Sequence, residues 1–175
     1  MSTSYDVPAE LAALEQAGHL VTYKPRRQLP RRRLYLGSQA VKDLTDTNSA
    51  FAALGLQGRV RDIFETWTVG GRVWADVKGK PRFLKPIFPP KPEVWEMLMI
   101  EPGAQVRIFF VFAEPDTIVA SHMRTRSFLG KRNSENWKEA KSDCMSAWNK
   151  LFPHPPFKGT KIYDYVTENC DAFAI

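Results

Sequence analysis

Residues 94 to 132 hold three apolar runs, VWEMLMI, VRIFFVF and TIVASH, parted by Glu101-Pro102-Gly103 and Glu114-Pro115-Asp116. Proline followed by glycine or aspartate suits tight turns, so the pattern predicts an antiparallel three-strand meander over 94–100, 106–112 and 117–122. The unbroken middle run predicts a central strand covered on both faces. Downstream, Trp137, Ala140, Cys144, Ala147, Trp148 and Leu151 recur at helical spacing, with Lys138, Glu139, Lys141 and Asp143 between them. That periodicity predicts a helix that Ser134 can cap and that Pro153, Pro155 and Pro156 terminate.

Upstream, Asp6, Pro8, Leu11, Leu14 and Gly18 predict a short helix over 6–17. HLVTY (19–23) and LYLG (34–37) read as short strands. Val60, Ile63, Phe64 and Trp67 mark one buried helical face, and Gly55 with Gly58 divides the region 38–67 into an antiparallel helix pair. VWADV followed by KGK predicts a short strand or a hairpin around Gly79, FLKPIFPPKP (83–92) a proline-rich connecting loop, and KIYDYVT (161–167) an edge strand with Tyr163 and Tyr165 packed on one face. The expected organisation is an N-terminal helix and basic arm (1–33), one α+β domain (34–152) and a C-terminal extension (153–175).

With 43% hydrophobic and 12% aromatic residues, the 175-residue chain has material for a core. Trp67, Trp137 and Trp148 belong to that core by spacing; Trp74 and Trp95 are placed either to pack or to stack on a base. The net charge of +6 favours polyanionic partners such as nucleic acid. Cys144 and Cys170 form no CxxC pattern, and no His/Cys spacing suits a metal, so neither a disulfide framework, a metal nor a cofactor is expected. MSTSYDVPAE shows no signal-peptide pattern and no apolar run approaches the ~20 residues of a membrane span, which predicts a soluble cytoplasmic protein.

The charge concentrates in two places. KPRRQLPRRR (24–33), which includes Arg31, Arg32 and Arg33, is either a solvated basic loop or a phosphate-contacting arm. The third meander strand empties into His122, Arg124, Arg126, Lys131 and Arg132, with Arg107 on the strand beside it. His122 is the candidate acid or base, because an ordinary imidazole titrates near cell pH; its other reading is a core or capping histidine. Arg107 is a candidate phosphate clamp or a structural ion pair with a neighbour such as Glu96. Arg124 and Arg126, two apart, would share a face of an extended segment and hold RNA, or keep an exposed edge soluble.

From about residue 34 to 151 the predicted order is strand, helix pair, lysine-bearing loop, three-strand meander, basic segment, helix. This order, with Phe83-Leu84-Lys85, Val94-Trp95-Glu96, Val106-Arg107-Ile108-Phe109-Phe110 and Ile118-Val119-Ala120-Ser121-His122, resembles the RelE-like toxins, particularly their HigB and phage-derived branch. Two positions depart from the family pattern: Leu98 stands where it carries an arginine, and Arg124 and Arg126 replace its paired lysines. The resemblance implies an antiparallel sheet packed against an N-terminal helix pair and a C-terminal helix. It implies a toxin that acts on RNA or the ribosome and is paired with an antitoxin. The implied activity is a metal-independent endoribonuclease that uses the ribose 2′-hydroxyl as nucleophile, with Lys85 stabilising charge beside His122 and Arg107. Alternatives are a non-catalytic RelE-fold inhibitor of a host protein, as in ParE or a phage-type regulator, and a plain nucleic-acid-binding module that uses the arm.

Overall fold

The computed structural model describes residues 5–26, 28–75, 83–87, 93–99 and 105–172. In chain order the elements are α1 (Val7–Gln16), β1 (Leu20–Thr22), β2 (Arg33–Gly37), α2 (Ser38–Thr45), α3 (Ala50–Ala53), α4 (Leu56–Thr68), β3 (Val73–Ala75), β4 (Leu84–Pro86), β5 (Trp95–Leu98), β6 (Val106–Glu114), β7 (Thr117–Thr125), α5 (Arg126–Leu129), α6 (Glu135–Leu151), α7 (Ile162–Tyr165) and β8 (Cys170–Ala172). The strands form one eight-stranded sheet in the order β1-β2-β7-β6-β5-β4-β3-β8. The fold is therefore mixed α+β, and its sheet is larger than the expected meander. It is also mixed in direction, since β2 runs parallel to β7, and β3 runs parallel to both β4 and β8.

Helices cover both faces. On β6, Val106, Ile108, Phe110 and Phe112 join the core beneath α2 and α4, where Val60, Phe64 and Trp67 are fully buried. Phe109, Val111 and Ala113 alternate to the other face and join Leu11 of α1 with Trp137, Ala140, Cys144 and Trp148 of α6. This two-sided burial explains the absence of polar alternation in VRIFFVF. The meander, the divided helical region, α1 with its Asp6 cap and the long α6 all lie where the pattern predicts them. The turn at 101–103 and the hairpin expected around Gly79 lie outside the described residues.

Several expectations are corrected. Residues 161–167 do not form a strand: Ile162–Tyr165 is a helical turn in which the Asp164 carboxylate accepts from the Thr160 and Lys161 N–H groups. Tyr165 is buried and Tyr163 exposed, so they do not share a packed face. The loop expected over 83–92 includes β4, which pairs with β5 and ends on Pro86, where a missing N–H ends a strand at little cost. The expected helix pair is three helices: residues 46–49 separate α2 from α3, Gly55 in a left-handed conformation precedes α4, and Gly58 lies inside α4. The segments outside 34–152 contribute to the same sheet, since β1 pairs with β2 and β8 with β3.

Most of the described basic arm is fastened to the body. Arg32, only 2% exposed, donates to the Gly71 and Glu168 carbonyls, lies 3.7 Å from Asp116 and stacks 5.0 Å over the Trp67 ring. It is a structural cation and does not reach RNA. Arg33 pairs with Glu114 at 2.8 Å. Arg31 is exposed, but its stem lies against Gly70, where an added Cβ would come within 2.8 Å of the arginine Cδ. Replacing Arg32 with alanine strands two carbonyls and Asp116 together. The expected loss is about 2–3 kcal/mol of stability by urea denaturation.

Candidate nucleic-acid interface

The side of the sheet facing α6 carries the candidate chemistry in two rows. Strand register sets Lys85, Glu96, Phe109 and His122 side by side across β4, β5, β6 and β7. The adjacent row is Leu98, Arg107 and Arg124. An arginine at position 98 would thus stand directly beside Arg107, and like charges directly opposite one another destabilise a sheet.

Arg107 and Glu96 form a buried pair. The Arg107 Nε lies 3.2 Å from Glu96 Oε2, yet that oxygen has no aligned hydrogen bond. The guanidinium instead donates to the Val106 carbonyl and to Gln105 Oε1. Burial raises the pKa of Glu96, which is 2% exposed, while Arg107, Lys85, Arg132 and Arg126 oppose that rise. Burial likewise lowers the pKa of Arg107, opposed by Glu96 and reinforced by Arg126 and Arg132. Of the two readings of Arg107, the ion pair with Glu96 is the one formed. The register also sets Lys85 beside Glu96, and the charges of Arg126 and Arg132 bear on the pair from the segment that follows β7.

Local structure holds the basic segment at that spot. β7 runs three residues beyond His122 and ends at Thr125, which caps α5 by accepting from the Phe128 N–H. Arg126 therefore begins a helical turn, and the shared extended face expected for Arg124 and Arg126 is absent. The Arg126 N–H donates to the Gln105 carbonyl at 2.8 Å, tying α5 to the start of β6, and its guanidinium donates to the Gly130 carbonyl. Leu129 is fully buried beneath. The loop then folds back, with Ser134 Oγ donating to the Leu129 carbonyl and Asn136 Nδ2 to the Phe128 carbonyl. Lys131 and Arg132 are left exposed on a braced turn. Arg124 is half-buried, 3.7 Å from Asp143, with its guanidinium 6.0 Å from the Phe128 ring.

His122 does not join these cations as a proton carrier. It is 3% exposed and its ring stacks on Phe109 at 4.8 Å with planes 9° apart. Burial, with a smaller contribution from Arg124, lowers its pKa from 6.5 to about 3, so it stays neutral at cell pH and is a poor acid or base there. Its Nδ1 meets Ser121 Oγ at 2.8 Å, and its Nε2 has no partner. The core reading of this histidine is the one the structure shows. Trp95, Trp137 and Trp148 are buried as well, which excludes Trp95 as a stacking platform in this conformation.

Among the described residues no group of three or more His, Cys, Asp or Glu side chains is placed to hold a metal, and no described helix is long and apolar enough to cross a membrane. Compared with known proteins, the chain matches no family model, no curated protein and no solved structure.

Proposed function

We propose that this chain is a RelE-like protein of the toxin type that acts on RNA, gripping the phosphodiester backbone at the α5 end of its sheet. The observation that carries this reading is the basic end of the sheet: Arg124 stands beside Arg107 in the register, Lys85 stands beside Glu96, and Arg126, Lys131 and Arg132 follow on the braced turn. Polyanions answer such a local excess of positive charge, and the fixed backbone of α5 gives the contacts a defined register. The element order supports the RelE-like assignment, from β2 through the α2–α4 helices and Lys85 to the meander, the basic turn and α6. An antitoxin in this reading is a partner whose acidic surface covers the α5 end. Use of the basic arm is less favoured, because Arg32 and Arg33 are already paired with carboxylates.

Binding of a single-stranded oligoribonucleotide, followed by fluorescence anisotropy at several salt concentrations, tests the grip. Arg126→Ala, Lys131→Ala and Arg132→Ala together should weaken binding and reduce the salt slope by roughly 0.7 per lost phosphate contact. An unchanged affinity and slope in the triple variant would remove the proposal.

Metal-independent cleavage is the second reading, favoured by one observation: Glu96 is a carboxylate of raised pKa beside cations suited to a phosphate. In that reading Glu96 takes the 2′-hydroxyl proton as that oxygen attacks the phosphorus, the P–O5′ bond breaks with the 5′-oxygen protonated by water, and Arg107 and Lys85 stabilise the developing charge. Ribosome-bound message should then be cut by the wild type and left intact by Glu96→Gln, which still binds RNA. Cutting by both proteins, or by neither, would leave RNA binding as the activity.

A further inference from the structure

A second polar site lies away from Glu96 and α5, in the cleft between α6 and the β2–β7 side of the sheet. Its volume, about 440 Å³, falls in the range of small-molecule sites. The N-terminus of α2 opens on it, with Gly37, Ser38 and Gln39 in the wall. The cap residue is Gly37 and no side chain caps the first turn, so its N–H groups and the positive end of the helix dipole face a place where an anion is favoured. Arg124 and Lys150 add charge at the rim; Asp143, which also lines the cleft 3.7 Å from Arg124, offsets part of it.

The independent observation is His122. It lines the same cleft, and its buried Nε2 has no hydrogen-bond partner. Ser121 Oγ occupies Nδ1 at 2.8 Å, so in either tautomer Nε2 is the ring nitrogen left without a partner. A buried ring nitrogen without a partner is unusual in a native core and is satisfied by a ligand hydroxyl, which can donate or accept.

We infer that this cleft binds a phosphomonoester of nucleotide size, with its phosphate on the α2 N-terminus between Arg124 and Lys150 and a sugar hydroxyl hydrogen-bonded to His122 Nε2. A free mononucleotide and the 5′-phosphorylated end of an RNA share this chemistry. Arg124 lines the cleft, whereas Arg126, Lys131 and Arg132 do not, so the site is best measured in the full-length Arg126→Ala/Lys131→Ala/Arg132→Ala protein, where α5 binding is suppressed.

Isothermal titration with AMP, adenosine, inorganic phosphate and a 5′-phosphorylated dinucleotide provides the test. AMP should bind at least about tenfold more tightly than either phosphate or adenosine, because only AMP meets both ends of the site. Ser38→Asp adds a negative charge to the first turn of α2, which should preserve the helix and weaken AMP by about tenfold or more. His122→Phe keeps the stack on Phe109 and removes Nε2, so AMP binding should fall to the level of inorganic phosphate while thermal stability is retained. Tighter binding of the dinucleotide than of AMP would support the inference and identify an RNA end as the source; equal binding would support it for a free nucleotide. Absence of AMP binding, AMP no tighter than phosphate, or AMP affinity unaltered in both variants would overturn it.

Discussion

Arg107→Ala is expected to cost about 3–5 kcal/mol of folding stability, because it leaves the Glu96 carboxyl buried without its cation. The pair lies on the face of the sheet that packs against α6, with Glu96 2% exposed and its Oε2 lacking any aligned donor. Removing only the guanidinium therefore leaves the desolvation cost and deletes the attraction. Replacing both members by apolar residues, Glu96→Leu with Arg107→Met, should be far milder, since such exchanges of a buried pair are often neutral or stabilising. Urea denaturation of the four members of this double-mutant cycle measures the coupling. Additive losses from the two single variants would show that the pair is not coupled. Loss of RNA binding in Arg107→Ala alone therefore has to be read against its folded fraction.

Acidification should destabilise the protein through His122, and His122→Phe should remove that component. The folded pKa of about 3 lies below the ordinary 6.5. Between those values the folded chain binds fewer protons at this site than the unfolded chain. Stability therefore falls as pH drops through that window, by up to about 1.4 kcal/mol per unit and on the order of 4 kcal/mol across it. Glu96 acts in the opposite sense: its raised pKa makes the folded state hold a proton longer, so its contribution weakens as pH rises above the ordinary carboxylate range. Denaturation midpoints of wild type and His122→Phe from pH 7 down to pH 4 separate the two. Parallel curves would mean that the imidazole titrates normally in the folded state.

How far these features are visible in the sequence depends on the kind of force that makes them. Periodicity recovers β6 and α6, because burial of a whole face imposes a pattern that Phe109, Phe110, Trp137 and Trp148 repeat. Turn chemistry likewise announces Asp116, which adopts φ 57 after Pro115. Long-range pairing leaves no such mark: nothing local tells that β8 joins β3 or that the Glu168 carbonyl receives Arg32. The burial of His122 is equally non-local. VASHMRT has the polarity of a strand end, but β7 continues to Thr125 and α6 covers it. Glu96 was visible only as one possible partner of Arg107. Its place beside Lys85 and Arg107 follows from the register of β4, β5 and β6. The cleft beside α2 joins residues more than eighty positions apart, and only the unpartnered Nε2 of His122 draws attention to it.

Amide chemical-shift mapping during titration with a single-stranded oligoribonucleotide addresses the assignment of the α5 end most directly. Perturbations concentrated from Arg124 to Arg132 and at the start of β6, and fading as salt is raised, are the result expected. Perturbations confined to the segment from Lys24 to Arg33, or spread without focus over the surface, would contradict it.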